Sequence, residues 1–294
     1  MSETGMTAET LRASALTKVR AEEYDEALAL YDRAMELAAD DAMLRELITI
    51  NKADAMIAIG RDGAEVHALP AILMRRRNPH HAFMAAYALM FKHRLQADLK
   101  RGIFYGQLAL DIATESEEPR WQMGALNDLG IIYETDSQFA KAIECLDQAL
   151  ALVDAVADAT EREFVRNAII QNLGYNKLLV NETREGLDLL LSVIDKVHVP
   201  SALCDAYTDL CYGYLDLEEY STAREYGEIG LRLATEPRQV RNAHYLLGEA
   251  AYKSGDTDAA EHHFGELCKF YPQFRNLKNL LFAIDLRGMV NLKL

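Results

Sequence analysis

Proline is scarce in this 294-residue sequence, six in all, and tryptophan occurs once. So few chain breakers, with 50% hydrophobic and 26% charged residues, describe an ordered, helix-rich chain and exclude a disordered one. Cysteine is sparse too. Cys145, Cys204, Cys211 and Cys268 form no Cys-x-x-Cys pair, and a chain this long needs no disulfide staples. Cys204 and Cys211 lie two helical turns apart and read as small apolar residues. Long hydrophobic runs are missing: none approaches the ~18 residues of a membrane span. The opening Met1-Ser2-Glu3-Thr4-Gly5 has no basic stretch leading into an apolar core. No membrane partner is expected, and the expected location is cytoplasmic.

Positive charge is in deficit, with 31 basic against 46 acidic side chains and a net of −15. Such a surface repels phosphate backbones, so no direct nucleic-acid partner is expected. One basic run stands out, Arg75-Arg76-Arg77, followed by Asn78, Pro79, His80 and His81. It reads as a solvated loop between repeats, with a phosphate site as the alternative.

Catalytic signatures are absent as well. The glycines occur singly, without a phosphate-binding loop, and no serine sits in a nucleophile-elbow pattern. His80-His81 and His262-His263 are adjacent pairs, and neighbours on a helix point about 100° apart, poor geometry for one metal. The expectation is no enzyme, no cofactor and no metal.

What the sequence does contain is a repeat. Around residue 130, Leu126, Leu129, Gly130 and Tyr133 share one helical face. After a short turn, Ala142, Leu146 and Ala149 follow at spacings of four and three, as expected where two antiparallel helices press together. The frame recurs with small anchors at Ala15, Gly174, Cys211 and Gly248. The triplets Ala27/Tyr31/Ala34, Gly186/Leu190/Val193, Ala223/Gly227/Gly230 and Ala260/Phe264/Leu267 each begin twelve residues after their anchor. Two units are degenerate. Lys52 takes the small position before Ala64/Ala68/Ala71, where Pro70 is expected to kink or shorten the helix. Met90 takes it before Gly102/Gly106/Ala109. An irregular helical bundle is the alternative, but it gives no reason for a constant twelve-residue offset.

These residues resemble the tetratricopeptide repeat (TPR) family, with its Leu-Gly pair, aromatic, alanine and late proline, here Leu247-Gly248, Ala260, Phe264 and Pro272. Anchor steps of 37 to 44 residues exceed the usual ~34 and imply extended helices or linkers, as in tetratricopeptide bacterial regulators. The resemblance implies an all-α, right-handed superhelical solenoid of about seven units, at 8–40, 45–76, 83–115, 123–155, 167–198, 204–235 and 241–272. Residues 1–7 are expected to be disordered. Residues 273–294 are expected to form a capping helix over the last apolar face, with self-association into a homo-oligomer as its rival.

The resemblance further implies that first helices line a concave groove. Residues three before, one after and four after each anchor, with close neighbours, give the candidate peptide-binding residues. These are Tyr87, Phe91, Arg94, Asn127, Ile131, Glu134, Gln171, Tyr175, Asp205, Thr208, Tyr212, Asn242, Tyr245, Glu249, Tyr252 and Lys253. Amides can hold an extended backbone and aromatics offer large contact area; the alternative is that the tyrosines merely pack the inner wall. The acidic members predict a neutral or basic polypeptide, and the cationic clamp of tetratricopeptide chaperone cofactors is missing. The function expected is therefore a protein- or peptide-binding adaptor. A peptide-responsive regulator of a transcription or signalling partner, and a self-assembling scaffold, are the alternatives.

Overall fold

The computed structural model describes residues 6–284, and among these every regular element is helical. The fold is an all-α solenoid of helix–turn–helix repeats, divided into two compact units, Met1–Ile132 and Tyr133–Leu294.

The first unit contains α1 (Ala8–Arg20), α2 (Tyr24–Leu37), α3 (Ala42–Ala58), α4 (Ala64–Arg75), α5 (Pro79–Leu95) and α6 (Leu99–Glu115). Helix α7 (Pro119–Thr135) contains the division between units. The second unit continues with α8 (Phe139–Ala151), α9 (Ala159–Leu179), α10 (Thr183–Val193), α11 (Pro200–Asp216), α12 (Tyr220–Leu233), α13 (Pro237–Lys253), α14 (Thr257–Cys268) and α15 (Leu277–Leu281). Pro79, Pro119, Pro200 and Pro237 each open a helix, the place where a missing N–H costs nothing. The 21 residues of α9, preceded by a 3-10 turn at Val153–Ala155, account for the longest anchor step.

Each first helix ends in the same turn. Glu22, Gly60, Ala97, Ser137, Asn181, Glu218 and Gly255 all take left-handed φ, between 56° and 85°. Beside each, the next N–H reaches back five residues, as in Glu23 N to Lys18 O and Asp256 N to Ala251 O, at 2.8–3.0 Å. This is the Schellman closure, which satisfies carbonyls a helix end leaves open. The left-handed residue lies seven positions after the anchor in every unit except the second, where Gly60 lies eight after Lys52.

That extra residue corrects the sequence frame. Ala64, Ala68 and Ala71 do not form the buried face of α4; Val66, Leu69, Ile72 and Leu73 do. The triplet has slipped by one position, because the buried small residue of α3 is Ala53, seven before Gly60, and not Lys52. Nor does Pro70 cut α4 short, since the helix runs on to Arg75. The ring lies on the exposed side, while the apolar face holds both turns in the core.

Packing between paired helices follows a size rule. In four units, the anchor and the residue sixteen further on complement each other. A methyl built on Gly106 would lie 2.9 Å from Met90 Sδ, and one on Gly227 3.0 Å from Cys211 Sγ. With the sizes reversed, one on Gly174 would lie 2.9 Å from Leu190 Cγ, and one on Gly248 2.5 Å from Phe264 Cδ1. Large meets small, whichever helix carries which. Lys52 escapes the rule by bonding Asp32 at 2.6 Å and Glu65 at 2.7 Å.

Of the expected disordered N-terminus, residues 1–5 lie outside the described residues, and Thr7 caps α1 through a reciprocal bond with Thr10. Of the expected capping helix, 285–294 lie outside the described residues. Within 273–284, the five-residue α15 buries Leu281, and Phe282 sets its ring edge against Phe264 and Tyr252, 5.1 and 5.3 Å between centroids.

Candidate functional site

In the first unit, first helices α1, α3, α5 and α7 carry a polar inner strip. Arg12 donates to Asn51 Oδ1 at 3.0 Å and pairs with Glu9. On α5, Tyr87 donates to the carboxylate of Asp128 on α7, and Asn127 donates to the same carboxylate at 3.3 Å. Arg94 lies over the ring of Phe91, 4.9 Å from its centroid. Tyr87, Phe91, Arg94, Asn127 and Ile131 are all half-buried, so each keeps surface to offer.

Burial by neighbouring helices shifts the ionisable groups of this strip. Asp54, on α3, is solvent-exposed, yet loss of water around it raises its carboxyl pKa above the ordinary value. Asp54 makes no hydrogen bond or ion pair with any described residue. Burial also raises Asp128, against the opposing hydrogen bond from Tyr87 and charge of Arg94. The Tyr87 hydroxyl is pushed well above 10 by burial and by Asp128. Beneath the strip, the fully buried Tyr31 hydroxyl is raised to about 12 by burial and the charge of Asp54. That hydroxyl and Asn127 Oδ1 have no hydrogen-bond partner.

The sequence frame missed Asp54 and Asp128. They lie two residues after and two before their anchors, between the stripe positions taken as lining. The available signal was their charge, which an acidic chain dilutes.

The second unit corrects the expectation more sharply. Glu134, Gln171, Tyr175, Thr208, Tyr212, Tyr245 and Glu249 are buried, Tyr175 to 0% exposure. They do not form an open wall. Glu134 accepts from the buried Asn176 at 2.6 Å, and Gln171 donates to Ala202 O at 3.1 Å. Thr208 bonds its own helix at Cys204 O, and Lys253 pairs with Glu249 at 3.3 Å. Asp205 is held by Arg238 at 3.1 Å, while Gln239 donates to Ser201 O at 3.0 Å. Their polar groups are spent on neighbouring first helices, as Glu134 on Asn176 and Gln171 on Ala202, or on their own helix, as Thr208 and Lys253. Asp205 and Asn242 remain half-buried, and Tyr252 and Lys253 exposed.

The other motifs resolve locally. Arg75 pairs with Glu46 at 3.1 Å and Arg76 with Glu115 at 3.3 Å, so neighbouring acids hold two cations of the basic run. His81 bonds the same Glu46 at 3.0 Å, and His80 stacks on Trp121. The four cysteines are free thiols, and burial pushes Cys204 up to about 11 and Cys211 to about 12. His263 meets His244 across helices, Nδ1 to Nδ1 at 3.1 Å, a contact no spacing rule could give. Among the described residues there is no group of three or more metal-ligating side chains placed to hold an ion, and no helix is long and apolar enough to cross a membrane.

The family model for the tetratricopeptide repeat matches residues 125–160, around the anchor Gly130 and its triplet. Residues 125–160 thus match a tetratricopeptide repeat, and the helix–turn–helix fold on either side is of the same kind. Solved structures extend the likeness over nearly all of it, as fold. The apo form of RapI covers 97% of this chain, and 83% of RapI is covered, at 10% identity and a TM-score of 0.70. For the apo form of the quorum sensor NprR from B. thuringiensis the values are 93%, 79%, 14% and 0.72. NprR in complex with its cognate peptide NprX gives 96%, 83%, 13% and 0.65. No curated protein matches in sequence.

Proposed function

We propose that the chain is a non-enzymatic binding module whose first unit holds a neutral or basic polypeptide segment along its inner strip. The observation that carries this is Asp54: a solvent-exposed carboxylate without a described hydrogen-bond or ion-pair partner, near enough to Tyr87 for its charge to raise that hydroxyl. An unpaired carboxylate that has lost water gains from a cationic or hydrogen-bond-donating ligand. Phe91 and Tyr87 add aromatic contact area. The likeness to NprR, solved with a bound peptide, supports a polypeptide as the ligand class. The same likeness to a quorum sensor favours, as a second reading, a regulator that responds to its peptide by acting on a signalling or transcription partner.

Selection of a random heptapeptide library on the purified chain tests the proposal. The expected outcome is enrichment of lysine or arginine, with binding of an enriched peptide lost in Asp54→Asn and in Tyr87→Ala while helicity is unchanged. Enrichment without basic residues, or binding indifferent to both substitutions, refutes it.

A further inference from the structure

At the C-terminal end of the second unit, a groove of about 210 Å3 opens between α13, α14 and the segment that follows them. Its walls are Tyr245, Leu267, Tyr271, Phe274, Leu277 and Leu281, with Asn242 and Arg241 alongside. Tyr245 and Asn242, assigned by sequence to the inner stripe, thus contribute to a different surface, almost wholly apolar. At its edge, Phe274 and Phe270 expose large hydrophobic area, Phe274 to 59%. Apolar side chains gathered this way mark a contact surface, whereas scattered ones need no explanation.

The cation at the groove's edge says what kind of contact. The Arg241 guanidinium stands 6.0 Å from the ring centroids of both Phe270 and Tyr271. No described acidic residue pairs with it. Arg275, on the segment carrying Phe274 and Leu277, is exposed and has no described acidic partner either. In a chain of net charge −15, Arg241 at the edge of the apolar groove, without a described acidic partner, is opposite in sign to the chain as a whole. We propose that this groove docks an amphipathic partner segment that inserts an apolar side chain between Tyr245 and Phe274 and presents a carboxylate to Arg241. A guanidinium above aromatic faces is already oriented and weakly hydrated, which suits it to receive a carboxylate. This surface and its ligand chemistry are distinct from the strip around Asp54.

Two acetylated 16-residue amphipathic peptides test it, one of leucine, alanine and glutamate, the other with lysine in place of every glutamate. Binding is read by fluorescence anisotropy at low salt. The glutamate peptide should bind at least about tenfold more tightly than the lysine peptide, against the repulsion of the net charge. Phe274→Ala should weaken it about tenfold. Arg241→Glu should abolish the preference and raise affinity for the lysine peptide, with melting unchanged in both variants. Asp54→Asn should leave glutamate-peptide binding as it is. Equal affinity for the two peptides, or no effect of Arg241→Glu, overturns the proposal. So does a dimer in light scattering that dissociates on Phe274→Ala, because the occupant is then a second copy of the chain.

Discussion

Replacing Gly248 by alanine probes the repeat frame at its tightest point. The added methyl would lie 2.5 Å from Phe264 Cδ1, about 1 Å inside ordinary carbon contact. Phe264 cannot readily yield, because it is fully buried and Phe282 stands against it with centroids 5.1 Å apart. Overpacking of this kind costs about 1–3 kcal/mol, while alanine returns up to ~1 kcal/mol of helix propensity. The net is a loss of about 1–2 kcal/mol. Gly265, in α14, supplies the control, because nothing lies within 4 Å of a methyl placed there. The same substitution at Gly265 should stabilise by roughly 0.5–1 kcal/mol. Urea unfolding followed by circular dichroism reads both. Trimming the ring by Phe264→Leu in the Gly248→Ala background should recover about 1 kcal/mol of the clash as a coupling term. A Gly248→Ala protein as stable as the parent would refute the size-complementarity reasoning.

Gly255→Ala should cost about 1–2 kcal/mol through backbone strain alone, since its φ is 85° and a methyl meets nothing; an unchanged urea midpoint would contradict the turn geometry. Asn176→Leu should destabilise by roughly 1.5–3 kcal/mol, because the buried Glu134 carboxylate loses a donor at 2.6 Å, and an isosteric, neutral outcome would make that bond dispensable. The His244–His263 contact should weaken on acidification. Burial, then each other's charge and that of His262, holds His263 down at about 4, and burial also lowers His244. With folded pKa values below the unfolded 6.5, the unfolded chain takes up protons first. Stability is therefore complete above about pH 6.5 and is lost toward pH 4. Arg224 and Lys269 add to this effect, and Asp256 and Glu266 oppose it. Between pH 7 and 5 the parent should lose on the order of 1 kcal/mol more than the double variant His244→Gln/His263→Gln; parallel pH profiles would reject the idea.

The repeat could be found in the sequence because its signals are local. Anchor and triplet spacings follow from 3.6 residues per turn, and in most units each turn closes seven residues after its anchor whatever occupies the left-handed position. Glu22, Ala97 and Glu218 adopt that conformation although none is glycine, so the closing hydrogen bonds decide there, not residue preference. The one-residue slip before α4 was hidden, because three alanines at the expected spacing imitate a buried triplet.

The candidate site was only partly legible for a different reason. Periodicity assigns Tyr175, Tyr212 and Tyr245 to the inner face of their helices, and they lie in the core. Whether an inner-face side chain stays exposed depends on what neighbouring helices pack against it, and that is a property of stacked pairs. The same holds for Asp54, whose desolvation comes from the protein packed around it, and for Arg241, whose apolar groove is assembled from segments on either side of a turn. Sequence determined which residues pair within a hairpin; the packing of hairpins on one another decided which of them a ligand can reach.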